Sequence, residues 1–176
     1  MTHTLRWGIL GTGNIAQQFA TGVRSSRRGA LAVVGSRSQQ SAQTFAQTHG
    51  IPTAFSSYEQ VLASPDIDAV YIALPNTLHK EWTLKALQAG KHVLCEKPFA
   101  ANAAESEEMF DVAEKTGRIV IEAFMYRTHP LTHAVLQTVR QGAIGQVKLI
   151  RTSFCYCTRR LQNNIRFNAN LAGGSL

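Results

Sequence analysis

The sequence predicts an α/β fold in which a doubly wound parallel sheet is covered by helices on both faces. Three observations predict it. Short apolar runs alternate with helix-length stretches along most of the chain. The runs are continuous in hydrophobicity rather than alternating, the pattern of strands buried on both faces. The first run also ends in a glycine turn that opens directly into a helical stretch.

Taken in order, Leu5–Leu10 reads as a strand and Ile15–Val23 as a helix. Leu31–Gly35 reads as the second strand, followed by a helix over Gln40–Thr48. A short extended piece at Thr53–Phe55 precedes a helix at Tyr58–Ala63. Ala69–Leu74 reads as strand, Leu78–Ala89 as helix, His92–Cys95 as strand, Ala103–Thr116 as helix and Ile119–Glu122 as strand. Strands that alternate with helices in this way pair in parallel through right-handed crossovers. After Arg127 the pattern changes. Pro130–Gln141 predicts one more helix, and Gly145–Tyr156 is a long alternating stretch that predicts the first strand of a second, sheet-based domain. Residues 157–176 carry Arg, Asn and Gly with no clear period. The expected division is a first domain over residues 1–127 and the start of a truncated α+β second domain over 128–176. One strand and one helix cannot enclose a core of their own, so the sequence reads as a fragment.

Bulk properties narrow the class. Hydrophobic residues make up 44% and charged residues 16%, a composition that builds a packed core and argues against disorder. No apolar run approaches the roughly 20 residues of a membrane-spanning helix. The first predicted strand starts at Leu5, which leaves no room for a signal peptide ahead of it in this sequence, and a cytoplasmic location is the expectation. The three cysteines, Cys95, Cys155 and Cys157, are an odd number without a CxxC spacing, which fits reduced thiols rather than disulfides or a metal site. The net charge of +7 invites a nucleic-acid reading. The basic residues, Arg24, Arg27, Arg28, Arg37, Arg159, Arg160 and Arg166 among them, are scattered and lack interleaved aromatics, so that reading is set aside. Two explanations of the charge stay open: an acidic remainder outside this sequence, or arginines that meet the phosphates of a cofactor.

Four short motifs carry the chemistry, each at or just past the end of a predicted strand. The first is Gly11-Thr12-Gly13-Asn14-Ile15-Ala16. Gly11 permits a tight turn, Gly13 lets the backbone approach a pyrophosphate, and Ala16 is small enough for close packing of helix on strand. The helix N-terminus then offers free N–H groups and a positive dipole end. This strand–turn–helix context marks a Rossmann dinucleotide-binding domain. The second motif is Gly35-Ser36-Arg37-Ser38. An Asp or Glu at this point selects NAD by accepting hydrogen bonds from the ribose; here Ser36 and Arg37 stand instead, and a guanidinium matches an added phosphate, so NADP is expected over NAD. The alternative is that Arg37 is a solvated residue stacking on an adenine.

The third motif is Leu74-Pro75-Asn76-Thr77-Leu78-His79. Asn76 or Thr77 is placed to cap the next helix, and His79 on its first turn either reaches a cofactor or only packs there. The fourth is Glu96-Lys97-Pro98. A lysine ammonium at the carboxyl edge of such a sheet can polarise a substrate oxygen or exchange a proton with it. The competing reading pairs Lys97 with Glu96 as a surface ion pair. Pro98 either adopts a cis bond or ends the strand.

In this order the four motifs resemble the glucose-fructose oxidoreductase / inositol dehydrogenase family (Gfo/Idh/MocA). The likeness continues through Glu122-Ala123-Phe124-Met125-Tyr126-Arg127, Gly142-x-Ile144-Gly145-x-Val147 and a tail of Arg166-Phe167-Asn168 … Gly173-Gly174-Ser175-Leu176. The branch holding dimeric dihydrodiol dehydrogenase and NADP-dependent xylose dehydrogenase is closest. The resemblance implies that Lys97 is the catalytic lysine, in contact with the nicotinamide ribose and the reacting hydroxyl. It implies that Glu96 helps hold the nicotinamide end, that Glu122 and Arg127 lie on the far side of the cofactor cleft, and that Phe154 and Arg166 face the substrate. Gly11, Thr12, Gly13, Asn14, Ile15, Ser36, Arg37, Leu74, Pro75, Asn76 and His79 complete the expected cofactor contacts. No metal site is expected. The implied activity is NADP-dependent hydride transfer with a sugar, polyol or related hydroxyl/carbonyl substrate. The implied partner of a full-length chain is a further copy of itself, with neither nucleic acid nor membrane expected. The alternative is a non-catalytic NADP-binding module or an inactive fragment, because family members carry a second catalytic Tyr or His beyond the Gly-Gly-Ser-Leu segment.

Overall fold

The computed structural model describes residues 4–155, 157 and 167–168. Six strands form one sheet in the order β3-β2-β1-β4-β5-β6, and every neighbouring pair is parallel. The strands are β1 Leu5–Leu10, β2 Gly29–Gly35, β3 Thr53–Phe55, β4 Ala69–Ile72, β5 His92–Cys95 and β6 Val120–Glu122. The helices are α1 Asn14–Arg24, α2 Gln39–His49, α3 Tyr58–Ala63, α4 His79–Gln88, α5 Ala103–Thr116 and α6 Pro130–Arg140.

The continuous apolar runs have the meaning expected of them. Successive strand residues point to opposite faces, so each run feeds two cores. Leu10, Val33, Val70, Ile72, Val93 and Cys95 face one core, which also takes Val61, Leu87 and Met109 from α3, α4 and α5. Ile9, Val34 and Tyr71 face the other, closed by Ala16 and Ala20 of α1 and by Phe45 and Ala46 of α2. Ile9, Leu10 and Ile72 are completely buried, each stabilising the fold by roughly 1.5–3 kcal/mol. At the other end of the sheet Arg6 pins β1 beside the start of β4, its guanidinium gripping the Asp68 carboxylate at 2.7 Å and 3.1 Å.

Local chemistry sets the helix starts. Ser38, Ser57 and Asn102 accept hydrogen bonds from the backbone N–H groups of Ser41, Gln60 and Glu105, capping α2, α3 and α5. The expectation that Asn76 or Thr77 caps α4 is corrected. Both fall inside a 3₁₀ turn, Asn76–Leu78, and the residue preceding α4 is Leu78, which has no side-chain acceptor.

Beyond Arg127 the expected helix is present and the expected strand is not. The 3₁₀ turn Met125–Thr128 leads into α6, which buries none of its residues; Leu131 and Val135 are more than half exposed. Gly145–Cys155, read as the body of a strand from its alternation, carries no strand in the structure. A strand exists through its ladder, and among the described residues none pairs with this segment. No helix among the described residues is long and apolar enough to cross a membrane.

Cys95 yields a pH prediction. Its thiol lies wholly inside β5, and burial pushes it up from 9.0 to about 12, with the nearby Glu96 and Glu122 carboxylates adding to the rise and Thr83 opposing it. Between those values the unfolded chain releases the thiol proton while the folded chain keeps it. The folded state then binds more protons, so its stability falls as pH rises. Denaturant titrations of wild type and Cys95→Ala at pH 8, 9.5 and 11 check this: above pH 9 wild type loses about 1.4 kcal/mol per pH unit relative to the variant.

Candidate functional site

Each motif singled out in the sequence sits at or just beyond the carboxyl end of a strand. In an open α/β sheet that rim is where ligands bind, at the point where the strand order reverses. Here the reversal falls between β1 and β4.

The turn after β1 is held on both sides by backbone. The Gly11 N–H donates to the Gly35 carbonyl at 2.9 Å, and the Ala73 N–H donates to the Leu10 carbonyl at 3.0 Å. Gly11 has φ +99°, and a Cβ there would stand 2.7 Å from the Ala73 carbonyl oxygen. Gly13 differs. It precedes α1 in ordinary extended backbone, and a Cβ placed on it would meet nothing within 4 Å. The start of α1 has no side-chain cap and no acidic residue in its first turn. Uncapped N–H groups beside open space fit a diphosphate.

Beyond β2, Ser36 is buried and Arg37 exposed. The Ser36 hydroxyl lies 3.5 Å from that of Thr12 and accepts from the Ser38 N–H at 3.4 Å, so it joins this loop to the glycine turn. Tyr58, at the start of α3, lies near Arg37: burial raises its phenol, and the nearby guanidinium charge opposes that rise in part. Tyr58 was not legible in the sequence, where it reads only as the first apolar residue of a helix.

Beyond β4, Leu74 is buried against the glycine turn, and a Cβ on Gly11 would lie 3.2 Å from its Cδ2. His79, expected among the cofactor contacts, also ties two loops together. Its ring is fully buried, with Nε2 2.9 Å from the Leu74 carbonyl oxygen and Nδ1 2.7 Å from that of Pro98. It braces the loop after β4 against the loop after β5.

Beyond β5, the Lys97–Pro98 peptide is cis. Lys97 is exposed, and Glu96 is 8% exposed. The two are not an ion pair. One Glu96 oxygen accepts from the Tyr71 hydroxyl at 2.6 Å and the other from the Lys97 backbone N–H at 3.3 Å. Glu122, at the end of β6, accepts from the Phe99 N–H at 2.9 Å, so its carboxylate also secures the lysine loop. Arg127 is exposed in the 3₁₀ turn that follows. Phe154 is 90% exposed, and Arg166 lies outside the described residues. Among the described residues no group of His, Cys, Asp or Glu is placed to hold a metal ion.

A parallel sheet in this order, with a bare helix start at the reversal and a lysine loop two strands away, defines a Rossmann-type dinucleotide-binding protein. The sequence profile of the Gfo/Idh/MocA oxidoreductase family, with its NAD-binding Rossmann fold, matches residues 5–124, and the chain belongs to this family. It is 40% identical over 172 residues to D-xylose 1-dehydrogenase (NADP(+)) 2 of Haloferax volcanii, covering 98% of this chain and 53% of that one. It is 37% identical over 174 residues to trans-1,2-dihydrobenzene-1,2-diol dehydrogenase of Mus musculus, covering 98% and 52%. Among solved structures it resembles KijD10, a 3-ketoreductase from Actinomadura kijaniata in complex with NADP, with a TM-score of 0.76 and 33% identity over 82% of this chain and 46% of that one. The chain spans about half the length of the curated relatives it matches.

The two glycines have opposite sensitivities. Gly11→Ala, strained at positive φ and against the Ala73 carbonyl, lowers unfolding stability by about 1–3 kcal/mol. Gly13→Ala, in extended backbone facing open space, changes it by less than about 1 kcal/mol. Thermal and denaturant unfolding of both variants measures the contrast.

Proposed function

We propose that this chain is the cofactor-binding part of an NADP-dependent oxidoreductase acting on a sugar, polyol or related hydroxyl/carbonyl substrate. The observation that carries the reading is the uncapped start of α1 beside the open space at Gly13, with Arg37 rather than an acid at the end of β2. The names of the relatives agree: the Haloferax volcanii enzyme is described as NADP-dependent and KijD10 was solved with NADP.

In this reading the backbone N–H groups from Thr12 to Ile15 bind the diphosphate. Ser36 and Arg37 take the phosphate on the adenosine ribose. Leu74, Pro75 and Asn76 line the middle of the cleft. Glu96 and Lys97 meet the nicotinamide end, with Glu122 and Arg127 beyond. When bound, NADP supplies the hydride acceptor or donor. Lys97 gives a proton from Nζ to the substrate oxygen as a carbonyl becomes a hydroxyl; in the reverse direction the deprotonated amine takes that proton from the hydroxyl. Phe154 and Arg166 belong to the substrate side.

The division at residue 127 is part of the proposal. It is supported by α6, whose residues are all exposed or half-exposed, and by residues 145–155, which join no sheet among the described residues. Residues 128–176 then belong to the start of a substrate-binding part. Self-association of the full-length enzyme and a cytoplasmic location complete the reading.

Two substitutions separate the roles. Arg37→Ala weakens NADPH by roughly 1–3 kcal/mol while leaving NADH nearly unchanged; calorimetric titration of both nucleotides measures it, and equal losses would contradict the selectivity assigned to the guanidinium. Lys97→Ala leaves NADPH affinity within about fivefold, since no other described side chain depends on it, and abolishes turnover in the full-length enzyme. Steady-state rates with a panel of aldoses and polyols test that; retained turnover rejects the lysine's role.

A further inference from the structure

A column of aromatic rings runs beneath the cleft and joins its two halves. Trp7 of β1 meets Phe19 of α1 edge-on, with centroids 5.1 Å apart at 80°. Phe19 stacks on Tyr71 of β4 at 3.9 Å and 17°. The Tyr71 hydroxyl then donates to Glu96 at 2.6 Å, and the second Glu96 oxygen accepts the Lys97 backbone N–H. Tyr71 is 2% exposed and Glu96 8%. Phe19 sits on the helix whose first turn faces the proposed diphosphate.

This arrangement is costly as pure packing. A buried carboxylate and phenol must both be desolvated, and a pair of apolar side chains would fill the same space without that penalty. The geometry shows what the carboxylate gains. Its oxygens take one donor from a rigid ring and one from the lysine loop itself, so the side-chain torsions of Glu96 and the backbone direction at Lys97 are set together. The phenol is a lasting donor: burial first, and then the carboxylate at its oxygen, raise it far above the usual tyrosine range. Without the hydroxyl, one oxygen of a buried carboxylate has no partner, and the side chain gains by turning toward solvent and releasing the Lys97 amide.

We infer that Tyr71 is a positioning residue for the nicotinamide end of the site, holding Glu96, and through it the Lys97 loop, in register with the glycine turn. The inference rests on the NADP reading above. Tyr71 touches no ligand itself; the Phe19 stack ties its ring to α1, so the diphosphate end and the lysine end keep a fixed separation.

The test uses this chain and two ligands. NADPH reports both ends of the cleft through its nicotinamide fluorescence. 2′,5′-ADP carries the adenosine end and no nicotinamide. Tyr71→Phe weakens NADPH roughly five- to tenfold, the loss of one hydrogen bond to a charged group. It leaves 2′,5′-ADP within about twofold, because Ser36 and Arg37 are untouched. In a Glu96→Ala background the same substitution adds less than about twofold, since the hydroxyl has no carboxylate left to hold. Phe19→Leu, which loosens the stack and keeps the hydroxyl, gives the same pattern at smaller amplitude and serves if Tyr71→Phe folds poorly. Equal weakening of both ligands, unchanged NADPH affinity, or a full additive loss in the Glu96→Ala background would overturn the inference while the cofactor reading stands. If wild type binds neither ligand, the cofactor reading falls and takes this inference with it.

Discussion

Strands β1 and β4 lie side by side in the middle of the sheet, although the chain makes two other strands between them. Leu10 is paired with Ile72 there, and the chain leaves both strands at the same rim, so the turn after β1 and the loop after β4 emerge in contact. The contact is close enough that a single methyl group at Gly11 would strike the Ala73 carbonyl. Every other feature of the site is measured from this pair. On one side, β2 delivers Ser36 and Arg37 next to the glycine turn; on the other, β5 and β6 deliver Glu96, Lys97 and Glu122. The pairing in turn depends on strands buried on both faces, because only then do both layers of helices pack against the same two strands.

Much of the polar chemistry around the cleft also holds its loops together. His79, Glu96 and Glu122 look from their residue types like candidates for proton transfer or ligand contact. The structure gives each of them a backbone partner: His79 lies against the carbonyls of Leu74 and Pro98 on two loops, Glu96 takes the amide of Lys97 next to it, and Glu122 takes the Phe99 amide. Three side chains from three elements thus converge on the segment around Lys97, which is itself exposed and without an ion pair among the described residues. A site that must present one cation at a fixed point benefits from supports whose own rotamers are locked by hydrogen bonds.

The region after Arg127 follows other rules. The apolar positions of α6 have no cover among the described residues, and the alternating stretch after Gly145 has no strand to pair with. An amphipathic helix and a strand pattern are requests for partners, and the six-stranded sheet does not supply them. This agrees with a chain that spans about half the length of its relatives.

The sequence by itself determined the six strands and six helices to within a few residues, their parallel pairing, and the placement of each motif at a strand's carboxyl end. These are properties of period and of local turn chemistry: continuous Val/Ile/Leu runs, and Gly11 and Gly13 at their spacing. Only the tertiary structure decided what the polar side chains hold. His79 as a brace, Glu96 turned toward Tyr71 instead of the Lys97 ammonium, Tyr58 near Arg37, and the missing strand after Gly145 all depend on groups far apart in the chain. No local pattern encodes such meetings, because a hydrogen bond between Tyr71 and Glu96 exists only once β4 and β5 have paired and buried them together.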